Sequence, residues 1–343
     1  MNDNGWPVLK GAVIGVGFIG QHHARVYREL RDVELLGVVD PNLGVANAVG
    51  ARNSVPAYPS LEALLEFAKP DLASVAVPTH LHYQVGMALI ERGISVLMEK
   101  PIATTAAEGE ALVRAARDKG VVLAAGHIER FNPAIIELKK QLGVGIAGRI
   151  HKIFAQRLSP YPPRIHDVGV VVDLASHDID LLRHLVGKPV VRICGETLRS
   201  ISSHREDVFN GLMRFEGGAI GVLDVNWMTP RKVRRLSVTG DRGHFECDLL
   251  SQELFFYEND SAPSGWDAHS VLHGVTEGNV LGIRIQRHEP LAAEIQDFVA
   301  AVQTGQAPAV TGEEALETLR IALEFVRVGH PDDALPTAPR PSR

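Results

Sequence analysis

Two successive domains are predicted: a doubly wound α/β domain with a buried parallel sheet, then an α+β domain built on a mainly antiparallel sheet. Three observations lead there. Between residues 8 and 127, short β-branched runs alternate with helix-forming segments, the rhythm of right-handed βαβ units. The first run ends in Gly15-Val16-Gly17-Phe18-Ile19-Gly20, and a helical pattern begins at once. Beyond residue 127 the spacing changes, and six strand-like runs follow one another across glycine turns, as in a meander. A chain of 343 residues accommodates two domains of ordinary size. The expected division is 1–126, 127–330 and a flexible tail over 331–343.

In the first domain the strands are VLKGAVIGV (8–16), VELLGVVD (33–40), DLASVAVP (71–78), ISVLMEKP (94–101) and VVLAAGH (121–127). Their apolar, β-branched character suits strands covered on both faces. Helices are expected from Gln21 to Leu30, over 61–68 with Ser60 as N-cap, from His82 to Arg92 and from Thr105 to Lys119. Gly93 and Gly120 close the last two, in the usual position for a helix stop. In the second domain a helix from Pro133 to Leu142 precedes a strand over 149–159, the loop Tyr161–Arg164 and a helix from Asp167 to Val186. VVRICGETL, DVFNGLMRFEG, AIGVLDVNWM, RKVRRLSVTG, GHFECDLL and QELFFYEN then read as strands, 259–282 as a loop, and Pro290–Val302 and Gly312–Val328 as helices.

Charged residues make up 22% of the chain and the net charge is -6, which gives no reason to expect nucleic acid or an anionic membrane as partner. Cys194 and Cys247 are the two cysteines, and they form neither a disulfide framework nor a metal-ligand spacing. No metal is expected. Met1 to Pro7 is polar, and no apolar run approaches the roughly 20 residues that span a bilayer. The expected compartment is the cytoplasm.

The glycine turn matches GxGxxG, a weak signal alone. Here it follows a strand, opens a helix and is followed by Asp40 at the end of the next strand. That set reads as a dinucleotide-binding Rossmann unit. Gly15 permits the turn, Gly17 lets the backbone approach a pyrophosphate, and Gly20 lets the helix lie on the sheet. Asp40 can accept from the adenine ribose hydroxyls, and its charge opposes a 2′-phosphate, so NAD is favoured over NADP.

Hydride transfer from an alcohol needs a group to take the hydroxyl proton. Cysteines suited to zinc and a Tyr-xxx-Lys pair are both missing from the sequence. Lys100, in Met98-Glu99-Lys100-Pro101, stands at the carboxyl end of an expected strand, where ligands of such sheets bind; by position alone a surface lysine fits as well. Asp173 and His177 are four apart on an expected helix and so share a face. By spacing alone they read more readily as part of a helix with solvated acids and a capping or core histidine. Histidines 22, 23, 80 and 82 suit cofactor contact or plain surface better than a metal.

In this order, GVGFIG, Asp40, EKP and the DxxxH helix resemble the glucose–fructose oxidoreductase and inositol dehydrogenase family, Gfo/Idh/MocA. The resemblance implies a C-terminal domain whose large open sheet serves as the interface of a homo-oligomer, dimer or tetramer. It implies that Lys100 bridges cofactor and substrate, and that Asp173 and His177 are the acid and the general base, with proton acceptance by His177 or shared between Lys100 and His177. Cofactor contacts would come from Gly15, Gly17, Phe18, Ile19, Gly20, Asp40, Pro78, Thr79, His80, His82, Glu99 and Lys100. Three stretches, 126–134, 161–182 and 226–240, are similar to sugar-nucleotide members that oxidise the 3-hydroxyl of UDP-N-acetylglucosamine with NAD, ahead of an aminotransferase. A diphosphate needs cations, and Arg157 and Arg164 are the expected ones. His166 and Asp167 fit either substrate contact or helix capping. The run Arg231, Lys232, Arg234, Arg235 fits either a phosphate site or a solvated strand that discourages edge pairing. The alternatives are a dehydrogenase of a free polyol such as myo-inositol, and an NAD-binding regulator without catalysis.

Overall fold

A computed structural model describes residues 5–162, 168–201, 205–259 and 277–329. The chain divides into two compact units, residues 1–139 with 284–320, and residues 140–283 with 321–343.

The first unit runs β1 (Leu9–Ile14), α1 (Gly20–Glu29), β2 (Val33–Val39), α2 (Leu43–Asn53), β3 (Ala57–Tyr58), α3 (Leu61–Phe67), β4 (Leu72–Val75), α4 (His82–Ile90), β5 (Ser95–Met98), α5 (Ala106–Lys119) and β6 (Leu123–Ala125). Its six strands are all parallel, in the order β3-β2-β1-β4-β5-β6. Every residue of β4, β5 and β6 is buried, as expected of strands covered on both sides. Local chemistry sets the helix ends. Ser60 caps α3 by accepting from the Ala63 N–H, and Thr105 and Glu108 form a reciprocal capping box on α5, each cap contributing about 1 kcal/mol. Gly120 closes α5 in the left-handed conformation. The strand order reverses between β1 and β4, and the carboxyl ends of these strands flank the crevice where such sheets bind ligands.

The second unit is reached through α6 (Pro133–Gly143). It contains β7 (Ile150–Leu158), a π-helical turn (Val171–Ala175), α7 (Ser176–Val186), β8 (Val190–Leu198), β9 (Val208–Phe215), β10 (Ile220–Asn226), β11 (Val233–Gly240), β12 (Gly243–Asp248), β13 (Glu253–Asn259) and β14 (Glu277–Ile283). These strands form one sheet ordered β14-β13-β12-β11-β7-β10-β9-β8. Neighbours are antiparallel except β10 and β7, which are parallel. Along β7, β9 and β10 every second residue is buried, including Ile153, Ala155, Arg157, Phe209, Met213, Leu223 and Val225. One face of the sheet therefore carries the core, and α7 packs there: a Cβ on Gly221 would meet Leu182 at 2.8 Å.

The chain ends its described part with α8 (Pro290–Thr304) and α9 (Gly312–Val328). Ile295, Phe298 and Val299 of α8 join the same core as Val26 and Tyr27 of α1. By contact, residues 127–139 and 284–320 group with the first unit, where the sequence suggests a boundary at 126/127. Four further differences follow from weak local signals. Neither α2, whose apolar spacing gives no clear stripe, nor the two-residue β3 is expected from the sequence. Within the loop expected over 259–282, residues 277–283 instead pair with β13 as β14. The helix expected from Asp167 begins, among the described residues, with the π-helical turn at Val171. The tail over 331–343 lies outside the described residues.

Candidate active site

In the first unit the glycine turn joins β1 to α1. Gly15 has φ +83°, and a Cβ there would lie 2.7 Å from the Ala76 carbonyl oxygen. A Cβ on Gly20 would lie 1.8 Å from the Gly15 oxygen. Both glycines are thus required by the protein's own packing. Gly17 differs: no described atom lies within 4 Å of where its Cβ would be. Phe18 and Ile19 beside it are exposed, and among the described residues no side chain caps α1 and none in its first turn is acidic. An uncapped helix start with an open glycine is suited to a phosphate group.

The carboxylate of Asp40 is fixed from two sides. One oxygen accepts the Val16 N–H at 3.1 Å, within the glycine turn, and the other accepts the Asn42 N–H at 2.9 Å. Asn42 in turn caps α2. Asp40 is therefore held in place just after β2, half-buried, with lone pairs left for a diol. These features fit the adenosine half of NAD.

Beyond β4, Pro78 and His80 are exposed and Thr79 is half-buried, in a 3-10 turn over Thr79–Leu81. His82 is placed otherwise than expected. It is 1% exposed; Nδ1 lies 2.8 Å from the Pro101 carbonyl oxygen and Nε2 2.9 Å from that of Val77. The ring ties the segment after β4 to the segment after β5, so its polar atoms face backbone rather than cofactor.

Glu99 follows β5 and is half-buried against α1. Its Oε1 meets His23 Nε2 at 3.1 Å, and its Oε2 accepts the Lys100 N–H at 3.2 Å. His23 Nδ1 lies 3.0 Å from the Ser74 hydroxyl, which also meets Tyr27 at 2.9 Å. Burial pushes the Glu99 carboxyl up, but the hydrogen bond and charge of His23, with Lys100, outweigh it and leave its pKa lowered. Gly126 leaves room for this carboxylate, since its Cβ would come within 3.0 Å of Oε2. Lys100 is half-buried and stands next to the cis Lys100–Pro101 peptide.

His23, expected as surface or cofactor contact, is thus 1% exposed and internal. Glu294 of α8, which no motif in the sequence singles out, joins it. The signal was present: an acid within the apolar stripe Leu291, Ile295, Phe298.

In the second unit, Asp173 lies in the π-helical turn and His177 in the first turn of α7; both are half-buried. Such turns are frequent at functional sites. The two residues therefore span a π-to-α junction, not one regular helix. Glu206 anchors the segment: its backbone oxygen accepts the Val170 N–H at 3.0 Å and its carboxylate the Val171 N–H at 3.3 Å. Gly169 is required there, because its Cβ would fall 2.0 Å from the Glu206 carboxylate.

Arg157, expected as a phosphate contact, is 3% exposed and donates from Nε to Asp178 at 2.8 Å. Its charge is spent inside the unit, on the residue adjacent to His177. Arg164, His166 and Asp167 lie outside the described residues. Of the run 231–235, Arg231, Lys232 and Arg235 are exposed, while Arg234 donates to the Leu158 and Val233 carbonyls. β11 is an interior strand, so protection of a sheet edge is not its role.

Comparison with known proteins agrees with this geometry. Residues 9–127 match the profile described as "Oxidoreductase family, NAD-binding Rossmann fold", and residues 135–246 match the "GFO/IDH/MocA C-terminal domain". UDP-N-acetylglucosamine 3-dehydrogenase of Acidithiobacillus ferrooxidans is 30% identical over 93% of this chain and 96% of its own length. Its solved structure superposes with TM-score 0.82, covering 93% of this chain and 97% of that one. The scyllo-inositol 2-dehydrogenase (NAD(+)) of Bacillus subtilis is 24% identical over 92% of each chain. GenD2 from gentamicin A biosynthesis, solved in complex with NAD, is 25% identical with TM-score 0.80, covering 94% of both chains.

Proposed function

Because the chain belongs to the Gfo/Idh/MocA oxidoreductase family and binds NAD through its Rossmann unit, we propose that it oxidises the 3-hydroxyl of UDP-N-acetylglucosamine. The observation that carries the substrate is the likeness to UDP-N-acetylglucosamine 3-dehydrogenase, which extends over 93% of the chain and through both units. The 3-keto product would then be a substrate for an aminotransferase.

NAD would supply the hydride acceptor for the carbinol carbon. The start of α1 and the open Gly17 would hold its pyrophosphate, with Phe18 and Ile19 alongside. Asp40 accepts from the ribose hydroxyls and opposes a 2′-phosphate. Pro78, Thr79 and His80 border the cofactor, and Glu99 sets the backbone at Lys100. Lys100 donates a hydrogen bond to the reacting oxygen, which stabilises its developing negative charge. His177 accepts the hydroxyl proton, and Asp173 orients it. The buried Arg157–Asp178 pair fixes the turn of α7 that carries His177.

With Arg157 internal, Arg164 and His166 are left as contacts for the diphosphate. That same observation favours a second reading, oxidation of a free polyol such as myo-inositol. A non-catalytic NAD-binding regulator would have no use for Lys100, Asp173 and His177. The deciding experiment incubates the protein with NAD and each sugar, with a carbonyl trap to pull the equilibrium, and follows reduced cofactor. Turnover with UDP-N-acetylglucosamine and none with myo-inositol is expected. The reverse result would replace the substrate, and tight NAD binding without turnover on either would support the regulator.

A homo-oligomer through the open sheet face completes the reading. Leu212 and Phe255, on the face away from the core, are 46% and 38% exposed. Among the described residues no helix is long and apolar enough to cross a membrane.

A further inference from the structure

Glu294 occupies a place where sequence and packing call for an apolar residue. It is 2% exposed, between Leu291, Ile295 and Phe298 on the inward face of α8. Among the described residues no donor reaches either of its carboxyl oxygens. Its carboxyl nevertheless approaches Glu99 and His23, with one polar atom of each of the three residues within 4.8 Å of the others. A buried acid so placed must either hold its proton or meet a cation.

The surroundings decide between these. From α1, the groups nearby are His23 and Tyr27; from the end of β5, Glu99; from α8 itself, Asp297. Arg130, on the turn packed against α8, is directed to Glu314. The charges felt most are therefore acidic, and His23 is already engaged by Glu99 and Ser74. Burial first, then the charges of Glu99 and Asp297, push the Glu294 carboxyl well above the usual carboxylate range. Glu99 moves the other way. Two neighbouring acids with opposite shifts divide into one charged and one neutral member.

We propose that Glu294 is a positioning residue: as a neutral acid it donates a hydrogen bond toward the Glu99 carboxylate and so fixes the group that accepts the Lys100 N–H. The inference rests on the reading of Lys100 as the group that contacts the reacting oxygen. Glu294 itself touches neither substrate nor cofactor. Its effect on Lys100 passes through Glu99.

Three measurements on the full-length enzyme test it. Infrared difference spectra of wild type against Glu294→Gln at neutral pH should show the carbonyl band of a protonated carboxyl, missing from the variant. Lack of that band would overturn the proposal, as would a stoichiometric divalent cation in the purified wild type that Glu294→Gln loses. In kinetics, Glu294→Gln keeps a donor and should stay within about threefold of wild-type kcat. Glu294→Leu should lose about tenfold in kcat, the scale of one hydrogen bond to a charged group, with substrate KM little changed. The kcat of the wild type should fall on the alkaline side through an ionisation that Glu294→Gln lacks. Equal alkaline limbs, or a Gln variant as slow as the Leu variant, would sink the idea. Should Glu294→Leu fail to fold, the pH profile of Glu294→Gln still decides.

Stability gives a third readout. The unfolded chain releases this proton near the ordinary value of 4.5, while the folded chain keeps it to higher pH. Stability therefore falls as pH rises above that value, up to the folded pKa, and Glu294→Gln should flatten the fall of Tm between pH 5 and 8. An unchanged slope counts against the proposal. Normal turnover in Lys100→Ala would remove the Lys100 reading but leave the infrared band and the Tm slope intact, so the two failures are distinguishable.

Discussion

The cofactor turn in the first unit and the π-to-α segment in the second are held by different physics. Around Gly15 and Gly20 the constraint is backbone against backbone. A single Cβ would collide with the Ala76 or Gly15 carbonyl, so the residue type is dictated before any ligand is considered. Around Asp173 and His177 the constraint is buried charge. Glu206 closes the start of the segment, and Arg157 and Asp178 pair beneath it at 2.8 Å. Steric sites tolerate almost nothing but one residue type. Charge-held sites tolerate the loss of a whole pair better than the loss of one partner.

This contrast can be broken most forcefully at the two groups proposed to act on the substrate. His177→Ala and Lys100→Ala should each lower kcat by about two to four orders of magnitude and leave NAD affinity within a few-fold by fluorescence titration. Near-normal turnover in either removes that residue from the chemistry. Next comes the buried pair. Arg157→Leu should cost about 3–5 kcal/mol in urea unfolding, whereas Arg157→Leu with Asp178→Leu should recover much of that loss. A double variant no more stable than the single would show that shape, not charge, holds α7. The glycines sharpen the other half. Gly20→Ala should fold poorly or not at all, since a Cβ 1.8 Å from a backbone oxygen has no room. Gly17→Ala should keep its Tm and raise the KM for NAD about tenfold, the effect of roughly 1.4 kcal/mol of lost binding. The smallest effect is expected at Asp40. Asp40→Ser should narrow the preference for NAD over NADP, seen as a change in the ratio of kcat/KM values, while kcat with NAD stays close to wild type.

Much of the first unit was legible because its signals are local and periodic. Apolar runs, Ser60, Thr105, Gly93 and Gly120 mark strands and helix ends without reference to anything distant. The same holds for the glycine turn and Asp40. What escaped was set by tertiary contact. No local pattern says that α8 returns to the first unit, that Arg157 points inward to Asp178, or that His82 reaches the Val77 and Pro101 carbonyls. His23 and Glu294 lie 271 positions apart by their numbering, and only folding brings them beside Glu99. In the second unit the strands were readable by their alternation, but β14 emerged only through its pairing with β13. The segment over Asp173–His177 looked like an ordinary helix because a π-turn changes the hydrogen-bond ladder, not the residue types.

The difference between Gly17 and its two neighbours in the motif has a use across descendants of a common ancestor. Gly15 and Gly20 answer to the fold, so any chain that keeps this architecture is obliged to retain them, whatever it does. Gly17 has no such neighbour, and under the proposed cofactor contact it answers to the ligand alone. A lineage that abandons the dinucleotide is released at that one position, where drift can install a side chain without harm. Reading position 17 separately from 15 and 20 thus separates working oxidoreductases from inherited scaffolds, a distinction that counting the whole motif as one match erases.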